Sequence, residues 1–135
     1  MMRRLISLKS DARGVAATEF ALAVPILISL IWGMFQVGLM FEANAGVQHA
    51  LGMAAREATI WPTPSDATIQ AKITSSKFGV GNGTWNTPTI ATNTATRTKT
   101  ITVSYTQPTD FLFFAGPTVT ITKSKVVYYI NNPSV

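Results

Sequence analysis

Hydrophobic and polar positions follow three different rhythms along this chain. Between Glu19 and Glu42 lie 22 residues without a charge, and only Ser29 and Gln36 among them are polar. As an α-helix that run is roughly 33 Å long, against a hydrocarbon core of about 30 Å. From Glu42 to Ile60 the rhythm becomes helical: Val47, Ala50, Leu51, Ala54 and Ala58 recur at spacings of three and four, on one face. Within that face Gly46, Ala50 and Ala54 make a small-residue stripe that lets another element approach closely. The stripe fits either the chain's own domain or a neighbouring subunit. Trp61-Pro-Thr-Pro64 ends the helix, because proline disfavours helix in the residue before it. One helix from about Val15 to Ile60 is predicted, roughly 70 Å long.

Pro25 falls inside the apolar run. It removes one backbone hydrogen bond and loosens the first turns, which membrane helices tolerate when neighbours or local adjustments satisfy the freed carbonyl. Ser65-Asp66 reads as an N-cap opening a short helix to about Phe78, with Ala67, Ile69 and Ile73 as its apolar contacts. Gly79-Val-Gly-Asn-Gly83 then breaks the chain. It lacks the spacing and strand–turn–helix setting of a phosphate cradle, so it reads as a turn.

The third rhythm has period two. Threonine takes 14 of the 39 positions from 84 to 122, a composition that suits a pleated surface. Thr92, Thr94, Thr96, Thr98, Thr100 and Thr102 alternate with a face reading Arg97, Lys99, Ile101, Val103, Tyr105, which predicts a strand with its apolar end buried. Thr118 to Ile130 predicts a second strand, and Thr87 to Ala91 a shorter third. The linker Gln107 to Pro117 is unusually apolar. Its aromatics either cover the sheet or reach the membrane surface or a partner subunit.

Charge sharpens this picture. Four of the 11 Lys and Arg residues (Arg3, Arg4, Lys9, Arg13) precede Gly14, with one acid, Asp11. Beyond Gly14 seven scattered cations face five acids, so the pI of 9.9 reflects topology rather than a nucleic-acid footprint. Only Arg56 follows the apolar run within twenty residues, so the positive-inside rule places the N-terminus in the cytoplasm. Ala43-Asn-Ala45 is a small-x-small motif of the kind signal peptidase cuts. Against cleavage there, the apolar run exceeds a signal's 7–15 residues, and the helical pattern continues past Ala45.

Candidate chemistry is sparse. The chain has no cysteine, so disulfides and thiolates are excluded. His49 stands on the long helix without a nearby second ligand, which makes it a solvated or interfacial residue. Asp66 and Asp110 each sit beside turn chemistry, far apart in sequence. No metal set or catalytic triad assembles from these residues, so an enzyme is not expected, nor a cofactor, a nucleic-acid partner or a small-molecule substrate.

Gly14-Val-Ala-Ala-Thr-Glu19-Phe20-Ala-Leu-Ala-Val-Pro25, with Gly33 in the run and Ala54-Ala-Arg56 beyond it, resembles the TadE-like family. These are pilin-like proteins of tight-adherence (Flp-type) pilus systems. The resemblance implies cleavage by a prepilin peptidase between Gly14 and Val15, leaving Glu19 as the fifth residue of the mature chain and Phe20 as the aromatic sixth. It also implies partnership with other pilins and the pilus assembly machinery, in a bacterial inner membrane. The expected organisation is a basic leader (1–14), a transmembrane helix (15–41), its extracytoplasmic continuation (42–61) and a small domain (62–135). The expected class is α+β, pilin-like, with a short helix and an antiparallel sheet of about three strands. Physically, a carboxylate at Glu19 in a low-dielectric setting needs neutralising. The freed α-amino group of Val15 on a neighbouring subunit is the natural partner. Two alternatives remain at this level: an uncleaved single-pass scaffold of the pilus or secretion machinery, and a secreted β-rich binding module.

Overall fold

The computed structural model describes residues 12–79, 81–111 and 113–130. The basic leader up to residue 11 lies outside them. The described architecture is a long helix α1 (Ala12–Ala58), a short helix α2 (Asp66–Ser75) and four strands: β1 (Thr84–Trp85), β2 (Thr89–Asn93), β3 (Thr98–Phe111) and β4 (Phe114–Tyr128). Helix α1 is continuous for 47 residues, with Pro25 inside it. Helix α2 begins where the cap predicts: Ser65 is extended, and its side chain accepts from the Thr68 backbone N–H. It ends at Ser75, three residues short of the expected Phe78.

The sheet is antiparallel, with β3 at its centre. Strand β4 pairs with β3 from Thr98–Tyr128 to Phe111–Phe114 along one edge. The other edge is shared by two short strands. Strand β2 pairs Thr89–Asn93 with Thr102–Thr98, and β1 pairs Thr84 and Trp85 with Thr106 and Tyr105. The third strand expected at Thr87 to Ala91 is thus β2, two residues later in the chain, with β1 beside it as a separate piece.

Two strand boundaries differ from the expectation. The threonine alternation from Thr92 to Thr102 is not one strand, because residues 94–97 form the turn of the β2–β3 hairpin. Asn93 supplies the reason: its side-chain oxygen accepts from the backbone N–H groups of Ala95 and Thr96, folding the chain back. Arg97 completes the reversal with a positive φ of 52°. The second difference is the linker Gln107 to Pro117, which is not a loop. Both strands run through it and close at the Phe111–Phe114 pair, with a register shift between Pro108 and Asp110. Proline is tolerated in a sheet at such an irregularity.

Packing sorts the two faces of the sheet. Ile101, Val103, Tyr105 and Val127 are buried against Ala43, Val47, Ala50, Leu51, Ala54, Ala55 and Ala58 of α1 and Ile69 and Ile73 of α2. Ala67, the third expected contact of α2, is exposed. Small side chains on α1 let the sheet and the connecting loop come close to the helix axis. Gly46 is the tightest point, since a Cβ there would overlap the Phe78 carbonyl. Gly79, at φ +68°, lies against the Glu42 carbonyl just below it. On the opposite face the hydroxyls pair across the strands: Thr102 with Ser124 at 2.8 Å and Ser104 with Thr122 at 2.9 Å. That face is built for water.

Candidate functional site

Gly14, Val15, Glu19 and Phe20 lie in the first turns of α1, clear of the domain. Val15 and Phe20 are 59% and 71% exposed. Glu19 is four positions after Val15, about one turn and roughly 6 Å of helix, so both project from the same side. Among the described residues Glu19 has no ion partner; the ion pair found there joins Lys99 to Asp66. Thr18 turns its hydroxyl back onto the Val15 carbonyl at 2.8 Å and so presents no free donor. The head of the helix therefore offers one acid, one aromatic ring and an unhindered glycine, for which a Cβ would meet nothing.

Further along, the surface of α1 stays apolar and bare. Leu22, Ile26, Leu27, Leu30, Ile31, Met34 and Phe41 are all exposed. A core helix of a soluble protein hides such residues, whereas α1 is long and apolar enough to cross a membrane and is almost uncovered over that stretch. Each polar side chain in the run makes a hydrogen bond within the protein, an arrangement that suits an apolar surrounding. Ser29 donates to the Pro25 carbonyl at 2.8 Å. The Gln36 amide and the Trp32 indole N–H both donate to the Asp110 carbonyl, each at 2.7 Å. Pro25 itself is exposed.

The small-residue stripe is placed differently. Gly46, Ala50 and Ala54 are buried, facing the chain's own loop and sheet. Ala43-Asn-Ala45 lies mid-helix with Ala43 in the core, so a cut there would split the element that the domain packs on.

The other candidate residues stay apart. His49 is exposed with its ring 5.3 Å from Phe78. Asp66 pairs with Lys99 near the start of β3, whereas Asp110 lies near its other end. At strand rise they are separated by roughly 35 Å, too far for a carboxylate pair. No group of three potential ligands is assembled among the described residues.

Sequence reasoning missed two polar contacts. Lys99 fell on the buried face of the expected strand, and a buried amine calls for an acid; that signal was present, but its partner is 33 residues away. The second is the joint of Trp32 and Gln36 to Asp110. A lone glutamine in an apolar run also needs a partner, and nothing local in the sequence points to a hairpin 74 residues on.

Taken together, the fold is that of a small α+β protein carried on a long apolar N-terminal helix, consistent with a pilin-like architecture. Residues 14–56 match the family model described as TadE-like protein. The match starts at Gly14 and stops two residues before the end of α1, on the stretch that carries the resemblance. No curated protein and no solved structure matches the chain.

Proposed function

We propose that this protein is a minor pilin or pseudopilin, trimmed by a prepilin peptidase after Gly14 and used in assembling a tight-adherence pilus for surface attachment. The observation that carries the reading is Gly14, Glu19 and Phe20 at the open head of a bare apolar helix, inside the family match. The helix spans the bacterial inner membrane with its N-terminus cytoplasmic and its domain periplasmic, in keeping with the cations before it. Glycine at the cut suits a protease because no side chain crowds the scissile bond. After the cut, Val15 carries a free α-amino group one turn from Glu19. In a neighbouring subunit that amine meets the Glu19 carboxylate, and the pair fixes the axial register between helices more than it adds affinity. The protein works by helix packing and through its domain, not by catalysis. Its direct partners are the membrane, the peptidase, other pilins and the assembly machinery.

Intact-mass analysis of the membrane-extracted protein tests this. A chain starting at Val15 is expected; a start at Met1 indicates a permanent scaffold, and one near Gly46 a secreted module. Gly14→Leu should leave the leader attached, and unchanged trimming of that variant would count against the site. Glu19→Ala should be trimmed normally but fail to enter fibres, so normal piliation in it would remove the pairing argument.

A further inference from the structure

The tip of the β3–β4 hairpin is placed where a soluble domain has no reason to put it. The hairpin closes at the Phe111–Phe114 pair, whose rings stack at 5.0 Å. It is clamped to α1 by the two hydrogen bonds to the Asp110 carbonyl, and the Phe111 ring lies 3.7 Å from where Gly33 would carry a Cβ. Gly33 is nine residues before Glu42, the first charge after the apolar run, or roughly 14 Å back along the helix. The domain therefore does not begin where the apolar run ends. One of its hairpins reaches down beside the run.

The chemistry of the tip matches that position. From Phe111 to Gly116 the sequence is Phe-Leu-Phe-Phe-Ala-Gly, without a charge. Phe113 and Phe114 are each 65% exposed. On α1, Trp32 and Phe35 line the cleft beside Asp110 and Ala115 and are themselves 37% and 56% exposed, so the tip adjoins apolar surface of the helix. The Trp32 indole N–H and the Gln36 amide each donate to the hairpin backbone, so both polar side chains at this level have a partner within the protein. The nearest charge is Asp110, whose side chain is exposed. Its exposed carboxylate lies on the domain side of the closing Phe111–Phe114 pair, and the turn at Phe113 lies on the far side of that pair, further along the apolar run.

We propose that the rings of Phe111, Phe113 and Phe114 at the hairpin tip insert into the leaflet on the domain's side of the membrane, as a second lipid contact beside α1. The occupant is lipid rather than a second copy because the tip is continuous with the lipid-facing surface of the helix. Aromatic rings at the boundary of headgroups and acyl chains are stable anchors. Anchored at helix and hairpin, the domain stands at a fixed orientation on the membrane instead of swinging on α1, and leaving the bilayer requires withdrawing both contacts. This rests on the reading of α1 as a membrane span.

The absence of cysteine makes the test direct. Single-cysteine variants Phe113→Cys, Phe114→Cys, Ile28→Cys and Thr94→Cys of the full chain are labelled with an environment-sensitive NBD group. They are reconstituted in phosphatidylethanolamine–phosphatidylglycerol vesicles with or without nitroxide-bearing lipids. The label at 113 should emit to the blue of that at 94 and lose most of its intensity to shallow nitroxides, and 114 should follow it. A label at 113 that behaves like the one at 94, while that at 28 is quenched, overturns the insertion and leaves the span intact. A label at 113 that is blue-shifted but untouched by any nitroxide lipid overturns it in favour of a protein partner. An unquenched label at 28 removes the span, and the hairpin contact with it.

Discussion

Helix α1 is one uninterrupted element with two different surroundings. In its first part, large side chains such as Leu30 (61% exposed) and Met34 (68%) face outward and are largely uncovered by the described residues. In its last part, Val47, Ala50, Ala54 and Ala58 are completely buried. Backbone geometry does not distinguish the two. Side-chain size does, together with what lies alongside. Large residues suit lipid, where each methylene is already in an apolar medium, and small ones let a sheet and a loop approach the helix axis. The lesson is that hydrophobicity alone does not mark the core of this protein. Its most apolar segment is its least covered one, and its folded core is built on alanines.

That comparison breaks most sharply at Gly46. Gly46→Leu should cost about 3 kcal/mol or more, because the obstacle is the Phe78 carbonyl, a backbone atom that has no rotamer to yield. Denaturant unfolding in detergent micelles, followed by tryptophan fluorescence, measures it. Unchanged stability would mean that the loop does not seat on α1 as described.

A matched pair of truncations tests the contrast itself. Leu51→Ala should destabilise the domain by about 2–4 kcal/mol, since Leu51 is 6% exposed and its loss leaves a cavity. Leu30→Ala should change the same unfolding curve by no more than about 0.5 kcal/mol, the range of surface substitutions. Equal effects from the two would erase the distinction between the halves of the helix.

The smallest effects belong to the Lys99–Asp66 contact. Lys99→Met should stay within about 1 kcal/mol of the native protein, because the pair is half open on the Asp66 side and methionine keeps the buried stem. Asp66→Asn should cost more than Lys99→Met. It leaves the largely buried amine without its carboxylate and removes an acid from the first turn of α2. Chemical denaturation of both variants at one pH ranks them, and the reverse order would show that the lysine makes its main contact elsewhere.

Much of this protein is legible locally. An uncharged run of 22 residues, a Ser65 cap, Pro62 and Pro64 after a helix, and threonines at alternate positions each act over a few residues, so composition and period were enough to place the elements. Gly14, Glu19 and Phe20 are legible for the same reason, being a motif contiguous in sequence. Hairpin geometry was less accessible. One asparagine side chain turns the chain at residues 94–97, where the alternation alone continues a strand. The stretch from Gln107 to Pro117 reads as a loop until its partner strand is in place.

Only the tertiary structure decided what the two halves of α1 touch. The stripe of Gly46, Ala50 and Ala54 suits any close neighbour, and the neighbour it meets is the chain's own loop and sheet. Likewise Gln36 announces a need for a partner, while the identity of that partner depends on a hairpin returning from far along the chain to the level of Gly33. Periodicity records which face of an element is apolar, because it is a property of successive residues. It does not record which distant backbone carbonyl will reach that face, because that depends on how strands of different length stack beside one helix.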